Sequence, residues 1–473
     1  MKFKAHPLMI FDTVKPFLWI LIIPFIKAVV QYLKYGSIDD IIGFETAVLI
    51  GIVLLAVVKF LSFRIIFEED KIIIKKGLFF VTRSQISRKK LSSVQTEQNP
   101  LDFIFGAVTY RINTEAGARS RSDFKFKLSR KNSERLSSLL YGGEKLEKIH
   151  FSFLRVAIMA ITTSSAVTGL FVAVPVLNNA ARLLGIGIYE LLDEINSVSN
   201  GMKTYFPPIV NTVTLILIVG YVISFIYSFI KYINFRLYLN DKLLKVCTGF
   251  FVRRITVFKK RAVNDVKIEQ TPLMLLFRRF AMKVSVGGFA VSKNALQVIV
   301  PSGTRKEIRE QIADYFPFLK PDGIKLMAER CETTRNRFLF WPLLFLLITL
   351  AISITSVILF EEFTRFIFFL TVIALCLVFC FAYTCQYEYK KGKIMLGDNI
   401  YAHSNKGFRT CRLYCPKEKV GQIKITRIGI DHKYNTCRVR IIVCSESADS
   451  IRVRHLDYGK VVEQINKIFE TDV

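Results

Sequence analysis

The sequence predicts a membrane protein built from two alternating parts: six apolar helical spans in three pairs, and three β-rich domains that each end in a helix. Three observations predict it. Apolar runs of membrane-crossing length recur in pairs along the 473 residues. Nearly the same eight letters appear twice, VQTEQNPL at 94–101 and VKIEQTPL at 266–273, an offset of 172 positions. The chain is also both greasy and basic, 52% apolar with a formal charge of +29, which one chain can satisfy by segregating spans from charged domains.

A span needs roughly 20 mostly apolar residues. In the N-terminal segment, 1–61, runs at 16–33 and 41–61 are parted only by the polar turn KYGSIDD, with Lys27 and Glu45 as internal blemishes. The second pair occupies 153–230 and encloses an extracytoplasmic loop at 178–206. Its stretch LLGIGIYELL reads either as a short amphipathic helix at the outer surface or as a linker. The third pair fills 338–385.

Charge orients the chain. Residues 62–152 hold 18 Lys/Arg against 10 Asp/Glu, 231–337 hold 22 against 9, and 386–473 hold 17 against 10. Lys59, Arg64, Lys231, Arg236, Lys390 and Lys391 flank the spans, and basic flanks stay in the cytoplasm. The N-terminus and all three large domains are therefore expected in the cytosol. Nine scattered cysteines in no metal-like spacing fit a reducing compartment.

Between the spans the text changes to short runs of Ile, Val, Phe and Thr broken by EED, KKG and NP, which is strand and turn language. The first β-rich domain is expected over 62–145 and the second over 231–320, closed by RKEIREQIADYF with Ile308, Ile312 and Phe316 on one helical face. A divergent third copy, 386–473, decays the motif to VGQIKITR. The repeated positions are Gly77, Val94, Glu97, Gln98 and Pro100, with Gly249, Val266, Glu269, Gln270 and Pro272 as counterparts. Val94 and Val266 are expected in the core, Gln95 and Lys267 outside, with the prolines ending the ladder because they lack an N–H. A glutamate repeated inside one chain, Glu97 and Glu269, suggests a salt bridge or turn contact more than two active sites.

These segments resemble the bacterial pleckstrin-homology-like domain family, and the whole chain is similar to its long, three-copy membrane members. The likeness is carried by His6-Pro7-Leu8, the strand entry at Phe63-Arg64, Gly77 before LFF, LSSVQTEQ at 91–98, LDFIFGAVTYRINTEAG at 101–117, and the partial second copy. The resemblance implies three cytosolic PH-like barrels. It supplies no chemistry, and the divergence of the third copy leaves its binding surface open.

No phosphate-binding loop, zinc-protease helix or nucleophile elbow is written in the chain, and the five histidines share no ligand spacing. Neither cofactor nor metal is expected, and the protein reads as a non-enzyme. Arg88, Lys89, Lys90, Arg253, Arg254, Lys259, Lys260 and Arg261 form basic clusters that suit anionic lipid headgroups or a protein partner. The aromatics of FVRRITVFKKR read as strand core, so nucleic acid is not expected. The expected function is a non-enzymatic integral protein of the bacterial cell membrane. Its partners would be the bilayer and another membrane protein or further copies of itself, in cell-envelope processes. The alternative is a transporter or export component built from the six spans.

Overall fold

The computed structural model describes residues 1–15, 44–68, 71–77, 81–114, 124–141, 146–164, 208–286, 297–320, 324–327, 332–406, 409–444 and 450–469. The first span at 16–33, residues 165–177 of the second pair and the whole of the loop 178–206 lie outside them.

The first unit begins with β1 (Lys2–Lys4) and α1 (Leu8–Val14), followed by the apolar helix α2 (Phe44–Ser62). One residue later come β2 (Arg64–Phe67), β3 (Lys71–Lys76) and β4 (Thr82–Ser87), and β1 pairs antiparallel with β2. A 3-10 turn at Arg88–Lys90 leads into β5 (Leu91–Gln98), the short helix α3 (Pro100–Ile104), β6 (Ala107–Thr114), β7 (Phe124–Ser129) and the closing helix α4 (Arg130–Tyr141). Alternate residues of both sheets fill one core, in which Tyr110, Phe126, Ile65 and Leu136 are fully enclosed.

The order then repeats. The second unit comprises β8 (Glu147–His150), α5 (Phe153–Thr163), α6 (Pro208–Tyr232), β9 (Arg236–Leu239), β10 (Leu243–Thr248) and β11 (Arg253–Lys259). After a turn at Lys260–Ala262 it continues with β12 (Val263–Gln270), α7 (Pro272–Leu276), β13 (Phe280–Val286), β14 (Gln297–Gly303) and α8 (Arg305–Tyr315). The third has β15 (Ile324–Met327), the long helices α9 (Glu332–Leu359) and α10 (Thr364–Lys391), β16 (Lys393–Leu396), β17 (Asn399–Lys406) and β18 (Arg409–Pro416). A turn at Lys417–Lys419 precedes β19 (Val420–Thr426), α11 (Gly429–Lys433), β20 (Thr436–Val443), β21 (Ser450–Asp457) and α12 (Tyr458–Phe469).

Each sheet unit starts earlier in the chain than the expected boundaries. Its first strand precedes the apolar helices, and the rest of the unit follows them. The helices are thus an insertion between first and second strands, and a strand of three or four residues such as KFK is too short to announce itself by periodicity.

The units are not separate beads. β5 pairs with β11, and β12 pairs with β18, so among the described residues the sheets run 4, 7, 7 and 3 strands. This overturns one expectation about register. Val94 and Val266 do face the core, but Gln95 and Lys267 are also enclosed, 3% and 2% exposed, because a strand of the next unit lies alongside. A period-2 pattern tells the two faces of a strand apart and says nothing about its edge.

Two helical stretches among the described residues, Thr334–Leu359 and Phe366–Lys391, are long and apolar enough to cross a membrane, and almost none of their residues are buried within the protein. Pro342 lies inside α9, where it removes one backbone donor.

Candidate functional site

Strand registers fix two ends for each sheet. α6 ends at Tyr232 and β9 starts at Arg236, which pairs with Cys247; Thr248 pairs with Arg254 and Arg253 with Gln98. Gln98, and α3 directly after it, therefore sit at the end where α6 enters the sheet. The Gly249 N–H reaches the Ile233 carbonyl at 2.9 Å, closing the β10–β11 hairpin tip onto the same end. In the third unit Asn405 pairs with Thr410 and hydrogen-bonds to the Thr384 carbonyl of α10, while Gln270 also pairs with Thr410. α7 thus takes the same place beside α10. An apolar cavity of about 570 Å³, lined by Pro272, Leu275, Leu339, Phe379 and Tyr383, separates α7 from the two long helices.

Three short helices stand in equivalent positions, each six residues before a left-handed residue: Gly106 (φ 64°), Arg278 (φ 50°) and Asn435 (φ 47°). Buried groups pin them down. Asp102 accepts from Lys127 Nζ at 2.7 Å and from Thr109 Oγ1 at 3.3 Å, while Asp431 accepts from Thr436, from the Ile428 N–H and from Arg337 at the start of α9. At the corresponding place α7 has Met274, which is buried, and a Thr271 cap. Held this way, α3 and α7 turn apolar side chains to the outside. Ile104 is 73% exposed and Leu276 74%, with Leu101, Phe103, Phe105, Leu273 and Phe277 also exposed, and Phe250 and Phe251 stand on the hairpin tip. Arg253 lies over the Phe103 ring, 5.5 Å from its centroid. Sequence reasoning missed this rim. Its signal was the text PLDFIF and PLMLLF directly after each strand, apolar on positions that a short helix cannot all bury.

The basic clusters fall in two places. Arg253 and Arg254 are at the helix-entry end. Arg88, Lys89, Lys90, Lys260 and Arg261 occupy the 3-10 turns at the far end, where Lys259 ends β11, one strand of seven residues away, about 20 Å at 3.3 Å per residue. Several of these cations are engaged by backbone. Lys259 Nζ donates to the Arg88 carbonyl at 2.8 Å, Arg261 Nη2 to the Lys89 carbonyl at 2.9 Å, and Arg88 to the Leu140 carbonyl at 3.1 Å. Lys260 is buried, and burial lowers its pKa against the pull of Asp241. Arg88, Lys259, Lys260 and Arg261, with Lys242, Lys417 and Lys419, outnumber the carboxylates of Asp241, Asp314, Asp398 and Glu418 in a cleft of about 1070 Å³ where the far ends of all three units meet.

The repeated motif occupies the junctions. Glu97 receives Arg111 from its own unit at 2.9 Å and Arg254 from the next at 3.0 Å. Glu269 receives Lys283 at 2.7 Å. Burial alone would push its carboxyl up, but Lys283, then Arg409 and Lys267, hold it below the ordinary carboxylate range. Gln98 and Gln270 make the same bond, each side-chain amide donating to the carbonyl just ahead of or at the end of the short-helix loop, Ala107 at 3.2 Å and Arg279 at 3.1 Å. Pro100 and Pro272 open their short helices, where a missing N–H costs nothing. Gly77 and Gly249 both have φ 96°, and a Cβ on Gly249 would meet the Val252 carbonyl oxygen at 2.0 Å, so the hairpin requires glycine there.

Four strands against three, closed by a C-terminal helix and bearing apolar helices, define a class: PH-like β domains joined to segments able to cross a membrane. The chain belongs to the bacterial PH domain family, whose family model matches residues 17–143 and 181–315, more than half of its length. No curated protein and no solved structure matches it.

Proposed function

We propose that this is a non-enzymatic, multi-pass protein of the bacterial cell membrane whose PH-like units, the divergent third included, sit on the inner leaflet in one strand-paired row. Six spans in three pairs, with every unit and the N-terminus in the cytosol, agree with the cations at Lys59, Arg64, Lys231, Arg236, Lys390 and Lys391. The observation that carries the reading is the exposed apolar rim of α3, α7 and the Phe250–Phe251 tip, which stands at the end where the apolar helices enter. Aromatic and aliphatic tips with Arg253 beside them suit the headgroup boundary, where ring and guanidinium each find a match. The far-end cleft, some 20 Å away and beyond a Debye length of about 8 Å, is then left for an acidic partner in the cytosol.

Photo-crosslinking of full-length protein in its membrane tests this. Benzoylphenylalanine in place of Phe103 or Phe277 is expected to give lipid adducts by mass spectrometry. In place of Phe318, an exposed residue lining the far-end cleft, it is expected to give none. Equal lipid labelling at all three positions would defeat the orientation.

A further inference from the structure

We propose that two copies of this chain join head to tail, the outer edge of β19 in one pairing antiparallel with the outer edge of β4 in the other. The chain already builds this contact twice. Val257 and Tyr414, each three residues before a 3-10 turn, lie opposite Val94 and Val266, each the fourth residue of its strand. The two internal junctions therefore have the same register.

One donor edge and one acceptor edge remain. β4 is the last strand of the first sheet and β19 the first of the last sheet, and no described strand pairs with the other side of either. β5 and β12 are buried along nearly their whole length, whereas β19 alternates between half-buried and exposed, and five of the six β4 residues, all but the buried Ile86, are partly or fully exposed. Of the other sheet-end strands, β1, β8 and β15 are only three or four residues long, and β7, β14 and β21, though longer, belong to no edge that pairs between units at the internal junctions.

The internal register carries over without adjustment. Gln85 lies three residues before the Arg88 turn and Ile423 is the fourth residue of β19, so these two become partners, with Ser84 opposite Lys424 and Thr82 opposite Thr426. No like charges face each other in those pairs. At the first junction Arg261 reaches the Lys89 carbonyl. The residues in those two places at the new contact are Lys89 of one copy and Glu418 of the other, an attractive pair.

Geometry in the bilayer favours the same contact. The described apolar helices enter at one end of the sheets, so copies in one membrane present both edges at one height. A contact between unlike surfaces repeats, giving an open row or a ring according to the turn per copy. The proposal shares with the previous section only the reading that the helices cross one membrane.

The test uses two full-length, differently tagged copies in one membrane, both carrying Cys444→Ser to remove an exposed thiol. With Gln85→Cys in one and Ile423→Cys in the other, mild oxidation is expected to give a mixed disulfide dimer. Yield should fall several-fold when both carry Gln85→Cys or both carry Ile423→Cys. Both sites are at least partly exposed, so neither change threatens folding. In wild-type background Lys89→Glu should lower the dimer fraction in native mass spectrometry, and adding Glu418→Lys should restore it. Equal yields in every cysteine combination, or a monomer throughout, would overturn the proposal. Alkaline carbonate washing of the same membranes reports separately on whether the chain is inserted.

Discussion

Arg254 Nη2 lies 3.0 Å from Glu97 Oε1, and the two residues belong to different PH-like units. Arg111 of the first unit holds the other carboxylate oxygen at 2.9 Å. A glutamate that appears twice in the sequence is here a clasp across a strand junction. Because it is 8% exposed, its charge is shielded from water on most sides.

Removing the clasp should loosen the junction. A double-mutant cycle on Glu97→Ala and Arg254→Ala is expected to show a coupling of about 1 kcal/mol in the unfolding midpoint of the full chain, since Arg254 is partly exposed. The same cycle on Arg130 and Glu134, a fully surface-lying pair 70% and 73% exposed, should give a coupling near zero. Comparable values for both would mean that the junction does not depend on Glu97.

At the second junction Lys267 lies 3.8 Å from Asp265, and both are buried. Burial pushes the Asp265 carboxyl up, and Lys267 and the Ser285 hydroxyl pull it back. A raised carboxyl holds its proton more tightly when folded, so stability is full below the unfolded value and is lost as pH climbs to the folded one. Lys267→Met takes away the main opposing charge and raises it further. The variant is expected to lose about 3 kcal/mol or more at pH 7.5, and less as pH falls, because protonation removes the buried charge that Lys267 no longer offsets. A loss independent of pH would show that Asp265 is not the group left exposed by the change.

Much of the fold was legible in the sequence, for identifiable reasons. Val94 and Val266 marked the core, and the NP and TP steps marked strand ends, because each is a local requirement of backbone or burial; Gly77 and Gly249 marked the repeat, and their left-handed φ appears only in the fold. The enclosure of Gln95 and Lys267 was not legible. It depends on which strand lies alongside, and hydrogen bonds to a neighbouring unit leave no mark on side-chain alternation. The basic clusters were found but could not be placed. Arg253 at the helix-entry end and Lys259 at the far end are six residues apart in sequence and differ only in their position along one strand.

The left-handed residues that follow the short helices offer a stability test without any change of contact. Gly106 has open space around its missing Cβ, so Gly106→Ala adds only backbone strain, about 1 kcal/mol. Arg278 already carries that strain at φ 50°, so Arg278→Gly should raise the unfolding midpoint while Gly106→Ala lowers it. Shifts of the same sign would show that side-chain contacts, not φ, govern this corner.

The third unit should be the acid-sensitive part of the molecule. Its two enclosed histidines are each 4% exposed. Burial pulls His403 down to about 3, with Arg412 and Lys393 adding to the effect, and pulls His455 down to about 4, with Arg337 adding and Asp431 opposing. His455 also packs edge-on against Phe338, 4.8 Å between ring centres, and has φ 58°. The sign is opposite to that at Asp265. An unfolded histidine takes its proton near pH 6.5, and the folded ones refuse it, so stability is full above that value and is lost as pH falls towards the folded pKa. At pH 5 each histidine should cost about 2 kcal/mol relative to neutral pH. His403→Gln and His455→Asn keep polar side chains, and asparagine tolerates the left-handed backbone. Compared with the native chain, each variant should show a smaller drop in unfolding midpoint between pH 7.5 and pH 5, and the double variant the smallest. Carboxylates away from these sites affect all the proteins alike, and since Asp431 lies 3.9 Å from His455 Nδ1, His403→Gln gives the comparison free of a neighbouring carboxylate. Parallel pH profiles for native and double variant would place acid sensitivity elsewhere in the chain.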